Sequence, residues 1–184
     1  PTLSATGTAD RLSTSSESWQ ALNDSGATIT MGDVVRGAAA QMAVLSCAYA
    51  LGGGMDNLEP AFDFFKEMAQ EGRLDAGTYS QERMDRAEID VLLTWDYLAL
   101  QYRDLTKANV PDANIECHVM KDGALQSGYA LVINKYAPHP YAAAATVEYL
   151  LSDEGQINRA EGYARPIRSE VELPADHTAK KNPH

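Results

Sequence analysis

Short apolar runs of strand type alternate with helical segments along this chain, and this order restricts the fold more than any other feature of the sequence. The clearest runs cover residues 27–31 and 89–95, and each leads into a longer segment in which apolar residues recur at helical spacing. Strands that alternate with helices favour layers of helix packed on a sheet. We therefore predict an α/β fold with a mixed sheet and helices on both of its faces.

Local end signals place the bounds of the predicted elements. Asp33, Ser80 and Asp96 each stand at the start of a helical segment and fit the role of an N-cap, as Ser16 does upstream. The glycines at 52–54 end the second helix. The predicted helices cover residues 16–22, 33–51, 57–72, 81–87, 96–107, 142–151 and 153–160, and the predicted strands cover residues 27–31, 78–80, 89–95, 115–120 and 128–134.

Charge and motif content argue against several classes of function. A formal net charge of −11 would repel phosphates, so we predict no nucleic-acid partner. The most apolar stretch, 34–51, contains Arg36 and Gln41 and is predicted to be a buried helix, not a membrane span. No phosphate-binding loop, nucleophile elbow or zinc-protease motif is present, and the four histidines lack ligand spacing. We predict neither catalysis, nor a cofactor, nor a metal.

The two cysteines, Cys47 and Cys117, lie far apart in the sequence. Cys47 falls in an apolar helical run and Cys117 in a predicted strand, so we predict two buried free thiols. A disulfide is the alternative in an oxidising compartment, because the sequence does not determine the distance between the two residues.

Polar and aromatic residues gather at four junctions next to predicted strands, at 31–36, 78–81, 94–97 and 126–129. Ligands of open α/β sheets bind outside the carboxyl ends of the strands, so these junctions are predicted to line one cleft. The simpler alternative to a ligand site is that these residues have structural roles: the polar residues cap helices and the aromatic residues lie in the core. The predicted ligand-binding residues are Asp33, Arg36, Tyr79, Ser80, Trp95, Asp96, Tyr97, Ser127 and Tyr129.

Several stretches of the chain, in the same order, resemble one known family. They include the stretches at 87–91 and 142–145, SGYALVI at 127–133, LLSDEGQ at 150–156 and GYARPIR at 162–168, with looser similarity at 10–12 and 18–22. These stretches are similar to type II solute-binding proteins of ABC importers, which include iron-, polyamine- and phosphonate-type receptors. The resemblance implies a lobe of the periplasmic-binding-protein type and a protein that binds a solute without transforming it.

The same resemblance implies a domain organisation, partners and a location. Residues 1–134 align with the second, ligand-binding lobe and its crossover strands, and residues 135–184 with returning helices of the first lobe and an irregular tail. Most of an amino-terminal lobe has no counterpart, so such a lobe is an expected partner. The other implied partners are a small-molecule solute and an ABC permease in the membrane, and the implied location is periplasmic or extracellular, lipid-anchored or secreted, in a bacterium.

The solute class is left with alternatives. Trp95 followed by Asp96 resembles the aromatic-plus-acid arrangement of polyamine-binding members, which favours an organic amine. Tyr97 has no tyrosine neighbour, which disfavours the ferric-binding members, and Arg36 leaves a phosphonate or other anion open. A transferase on the same fold, with Asp96 as the candidate base, and a lobe that acts as an oligomerisation module are the remaining alternatives.

Overall fold

The structure, a computed structural model, describes residues 18–175 and residue 177. The chain divides into two compact units, Pro1–Leu125 and Gln126–His184, here called the first and second units. The predicted boundary between residues 134 and 135 separates the two lobes of a receptor and not these two compact units. It stays a prediction.

The first unit alternates helices with short strands, as the sequence predicts, and its α/β class is confirmed. Its elements, in chain order, are α1 (Trp19–Asp24), β1 (Ile29–Thr30), α2 (Ala38–Ala50), α3 (Glu59–Gln70), β2 (Leu74–Asp75), α4 (Gln81–Asp85), β3 (Val91–Leu92) and α5 (Asp96–Asn109).

The three strands form one parallel sheet in the order β2-β1-β3. Ile29 of β1 is in register with Leu74 on one side and with Val91 on the other. Ile29 is completely buried, as expected for a central strand of a parallel sheet. Because the strands are parallel, their carboxyl ends lie at the same edge of the sheet.

An aromatic cluster anchors the core of the first unit. The rings of Trp19, Phe64 and Phe65 pack edge to face, with centroids 5.3 to 5.9 Å apart, which is the arrangement that aromatic quadrupoles favour. The indole Nε1 of Trp19 donates to Ser46 Oγ at 3.2 Å, so its polar atom is satisfied inside the core. The cluster joins α1 and α3 to α2, whose residues Val44 and Cys47 are also buried.

The predicted N-cap of the second helix, α2, is wrong. Helix α2 begins at Ala38, with Gly37 as its N-cap, and not at Asp33. The Asp33 carboxylate instead accepts a hydrogen bond from the Val35 amide at 2.8 Å and closes a turn before the helix. Helix α1 is capped by Ser18, whose hydroxyl accepts from the Ala21 amide at 3.1 Å; the predicted cap, Ser16, lies outside the described residues.

The strand predictions were partly wrong. Segments 115–120 and 128–134 contain no regular structure, and neither does 78–80, whereas β2 was not predicted. A strand exists only where its backbone pairs with a neighbour, and the apolar pattern of 128–134 carries no information on whether a partner edge is in reach. Strand β2 is too short, and too closely flanked by charged residues, to give a pattern.

The described part of the second unit contains two helices, α6 (Pro140–Leu151) and α7 (Asp153–Glu161), which confirms both helix predictions. Ser152 caps α7 through a hydrogen bond from the Gly155 amide at 3.2 Å. A Cβ at Gly155 would collide with the Tyr149 carbonyl oxygen, so only glycine fits this corner. Buried Gln156 donates to the Leu150 carbonyl at 2.6 Å and accepts from the Ile167 amide at 2.7 Å. The LLSDEGQ motif is therefore a backbone corner joined to the segment at 165–168.

Within the described part of the chain, no helix combines the length and the apolar character that a membrane crossing requires.

Candidate functional site

Three loops leave the carboxyl ends of the parallel strands: residues 31–37 after β1, 76–80 after β2 and 93–95 after β3. We call them the strand-end loops. They contain or adjoin the predicted residues Asp33, Tyr79 and Trp95. The parallel order brings three of the four predicted junctions to one edge of the sheet, where open α/β sheets bind their ligands.

Tyr79 contacts elements that follow both of the other strands. A Cβ built on Gly32 would lie 3.3 Å from its Cε1 atom, so the ring rests against the glycine backbone. The Tyr79 hydroxyl is 3.5 Å from Thr94 Oγ1. Its ring also meets that of Tyr102 on α5 edge to face at 5.9 Å. Burial, and then the neighbouring Tyr79 and Glu82, raise the pKa of Tyr102, so Tyr102 is neutral at ordinary pH.

A charged pair supports the loop that carries Tyr79. The Asp75 carboxylate accepts from Arg83 Nη2 at 2.7 Å, from the Gly77 amide at 2.8 Å and from Thr30 Oγ1 at 3.1 Å. The hydrogen bond from Arg83, followed by that from Gly77, holds the pKa of Asp75 below its usual value. Asp75 therefore stays ionised and joins β1, β2 and α4 beneath the strand-end loops.

Asp33 and Arg36 lie together on the first strand-end loop. Arg36 Nε is 3.8 Å from Asp33 Oδ2, and the Arg36 side chain is 88% exposed. Such a pair is held loosely, because water screens it. Both charges remain accessible to a ligand.

Of the predicted caps at this edge, Ser80 is confirmed and Asp96 is wrong. The Ser80 hydroxyl accepts from the Arg83 amide at 3.4 Å and caps α4. Trp95, not Asp96, is the N-cap residue of α5, and Asp96 lies in its first turn, where Oδ1 accepts from the Tyr97 amide at 2.8 Å. Asp96, Trp95 and Tyr97 are half-buried, which disfavours the alternative that the two aromatic residues are core positions.

Ser127 and Tyr129 belong to the second unit and are exposed. Their part in a ligand site stays a prediction.

A separate surface hollow of about 450 Å³ lies beside the glycine run. It is lined by Tyr49 and the loop at 52–57, and no predicted site residue reaches it. The hollow lies at the carboxyl end of α2, where the described chain presents no strand end. We therefore place the candidate site at the strand-end loops.

Both cysteines are free thiols, as predicted, although Cys117 is only half-buried. Burial, assisted by Asp122, raises the pKa of Cys47 to about 12, and burial also raises the pKa of Cys117. Among the described residues, no group of three or more His, Cys, Asp or Glu side chains is placed to hold a metal ion.

Thr94 and Tyr102 join the candidate site although the sequence did not single them out. Thr94 lies inside the predicted junction at 94–97, but only the residues that follow it were predicted to bind a ligand. Tyr102 lies seven positions after Trp95, two helical turns on, so helical spacing could have placed it on the same face. Nothing in the sequence indicated Asp75, because β2 itself was not visible.

Comparison with known proteins identifies the family of this chain but does not test its site residues. No curated protein matches the sequence. A family model described as bacterial extracellular solute-binding protein matches residues 29–183, which is well over half of the chain and includes all three strands and the α6–α7 corner. The chain therefore belongs to the bacterial extracellular solute-binding proteins.

Proposed function

We propose that the strand-end loops of the first unit bind a small organic solute, with a preference for an amine or polyamine. As a solute-binding protein of an ABC transporter, the chain works outside the cytoplasmic membrane with a permease as its partner. Binding shifts the receptor towards a closed form that the permease distinguishes from the open one. No bond in the solute is made or broken.

The observation that carries this proposal is the contact of Tyr79 with both neighbouring junctions. Its ring against Gly32 and its hydroxyl near Thr94 place three strand ends within one small area. A solute at this edge would meet residues from all three loops at once.

The chemistry of the same edge favours a cation. Tyrosine and tryptophan rings that are half-exposed offer faces to an ammonium group, and the Asp33 and Asp96 carboxylates offer charge. The net charge of −11 also attracts cations over a longer range.

A second candidate is a solute with an anionic group, such as a phosphonate or an amino acid. It is favoured by the high exposure of Arg36 and its long contact with Asp33. An anion could compete for this guanidinium without breaking a tight ion pair.

A thermal-shift and calorimetric screen tests both candidates with spermidine, putrescine, glutamate, methylphosphonate and ferric citrate. A ligand at a hundred times its Kd stabilises by about 2.7 kcal/mol, which raises the melting temperature of a chain of this size by about 5–10 °C. We expect such a shift with a polyamine. A shift with methylphosphonate alone would show that the solute is an anion and not an amine. The absence of a shift with every probe would contradict the proposed site.

Two substitutions locate the site. Trp95→Leu removes a ring face and should weaken spermidine binding about five- to thirtyfold, whereas Trp95→Phe keeps a face and should weaken it less. Asp96→Asn removes one charge with little change in shape. Its matched control is Asp56→Asn, on the exposed loop beside α2. Equal effects of the two Asp→Asn changes would contradict the proposed location.

We also propose that an amino-terminal lobe of the receptor covers the apolar surface of the second unit. We define this surface by the exposed residues Tyr129, Leu131, Val132, Ile133, Tyr136, Tyr141, Tyr149 and Leu151. Apolar residues follow one another at 131–133, so both faces of this extended segment are apolar. Such a segment suits a strand with neighbours on both sides, which a lobe with its own sheet can supply.

Size-exclusion chromatography and binding of the dye ANS test this partner. A monomer that binds ANS, and that loses dye binding after Val132→Lys and Tyr136→Lys, supports an open surface awaiting a lobe. A stable dimer that these substitutions dissociate would show that a second copy is the partner, as an oligomerisation module requires.

A further inference from the structure

Tyr79 belongs to one of the three strand-end loops and contacts the other two. It extends from the loop after β2 to the backbone of the loop after β1 and to a side chain of the loop after β3. Its ring also packs against Tyr102, which belongs to the helix that follows β3. The three strand-end loops thus share one contact residue.

The contact with Gly32 constrains the first loop in two ways. Gly32 has a φ of +75°, a left-handed conformation that side chains with a Cβ rarely adopt. A Cβ would also lie only 3.3 Å from the Tyr79 ring. The loop therefore approaches the ring as closely as it does because residue 32 is a glycine.

The loop that carries Tyr79 is itself held at both ends. The Gly77 amide donates to Asp75 at 2.8 Å, and Arg83 Nη1 donates to the Thr78 carbonyl at 2.7 Å. Ser80 then begins α4 as its cap. Tyr79 is thus presented from a fixed backbone, so its ring and hydroxyl can set the positions of the other two loops.

We propose that Tyr79 is a positioning residue that sets the spacing of the three strand-end loops, with its hydroxyl holding the third loop through Thr94. This inference rests on the proposed function for its effect on solute affinity. It differs from a direct ligand contact, because the Tyr79 hydroxyl acts through a second side chain.

A double-mutant cycle tests this coupling, with the screening probe that binds the wild-type chain. Tyr79→Phe removes the hydroxyl and keeps the ring, and Thr94→Val removes the partner hydroxyl and keeps the shape. Each should raise Kd about two- to tenfold, as expected for one neutral hydrogen bond. The double variant should bind no more weakly than either single variant. Thr94→Ser, which keeps the hydroxyl, should bind as tightly as the wild type.

Tyr49→Phe is the matched control, because it makes the same chemical change in the same unit, beside Gly54 and outside the strand-end loops. Its Kd should equal that of the wild type. Multiplied effects in the double variant, or wild-type affinity in Tyr79→Phe, would overturn the inference.

A readout without ligand keeps the inference testable if no probe binds. Amide hydrogen exchange in residues 93–95, which the hydroxyl holds through Thr94, should become about tenfold faster in Tyr79→Phe, since local opening follows the loss of stabilising contacts. Exchange in α2 should not change. If no probe binds but exchange in this loop is faster in Tyr79→Phe, the proposed solute site is rejected and the positioning role is kept. If exchange in this loop is unchanged, the positioning role is rejected.

Discussion

Helices α2 and α6 are comparably apolar, yet they lie in very different surroundings. Five residues of α2 are buried in the first unit, whereas α6 in the second unit has none. A helix that is apolar on all sides is stable in water only when other elements cover it. An apolar composition thus makes burial of a helix favourable, but the helix is buried only where other elements pack against it.

The two units are also held by different forces. The first unit has an aromatic cluster around Trp19, whose ring is 1% exposed. The described part of the second unit is held mainly by hydrogen bonds between backbone groups and the side chains of Ser152, Gln156 and Arg168. Such bonds define a corner with accuracy, but each adds only about 0.5–1.5 kcal/mol.

The largest effect should come from removing one aromatic residue in each unit. Trp19→Ala should lower the free energy of unfolding by about 3–5 kcal/mol, because it leaves a cavity among Phe64 and Phe65. Tyr141→Ala, at a ring that is 90% exposed, should cost less than about 0.5 kcal/mol. Urea unfolding followed by circular dichroism measures both. Similar losses would break the comparison, since they would mean that Tyr141 is buried in solution.

A glycine substitution tests whether the second unit depends on its corner. Gly155→Ala should destabilise α7 by about 1–3 kcal/mol, because the new Cβ meets the Tyr149 carbonyl oxygen. Gly162→Ala is the control, since its Cβ would have an ordinary contact at 3.4 Å. Amide exchange within α7, measured by NMR, should become faster only in Gly155→Ala. Equal exchange in the two variants would show that the corner is not what orders this helix.

An electrostatic substitution tests the polar support of the first unit. Asp75→Asn should cost about 1 kcal/mol at pH 7, through a weaker bond from Arg83. Because the folded-state pKa of Asp75 is lowered, its contribution is fully present above the unfolded pKa of about 3.9 and is lost as the pH falls through the folded value. The stability gap between wild type and variant should therefore close only in that acidic range.

Asp63→Asn, on the exposed side of α3, is the control for this charge change. It should leave stability nearly unchanged over the same pH range. A gap that persists undiminished well below pH 3 would mean that Asp75 acts by packing and not by charge.

Thiol reactivity gives the smallest perturbation and sharpens the comparison most directly. Cys47, whose pKa is raised to about 12 by burial, should not react with DTNB at pH 8 until the chain unfolds. A cysteine introduced into α6 by Ala144→Cys should react at once, because Ala144 is exposed. Reducing agent should not change the melting temperature, since both native thiols are free. Rapid modification of Cys47 would show that the first core is open.

The elements that could be predicted from the sequence are those with signals inside themselves. Helix α3 has a strong apolar period, and the glycines at 52–54 mark the end of α2. Even there, Phe62, which follows the buried Ala61, is 49% exposed, while Phe64 is buried. The period determines that one side is buried, and the neighbours determine which of two adjacent rings it contains.

The candidate site was predictable in part for the same reason. Strand ends followed by helix starts identified the junctions of Asp33, Ser80 and Trp95, but not their contacts. The link from Tyr79 to Thr94 spans fifteen positions and depends on both strands pairing with β1. The predicted strand at 128–134 is not formed, because its apolar pattern does not specify another strand with which it could pair.

The sequence by itself determined which segments are helical and the alternation that makes this an α/β chain. Only the tertiary structure decided which strands pair, that Asp75 supports the site and that Tyr79 is shared by three loops. Caps, glycines and helical periods act over about four residues, through the backbone's own hydrogen bonds. Sheet pairing and side-chain contact join residues far apart in the chain, and their energy exists only once the chain has folded.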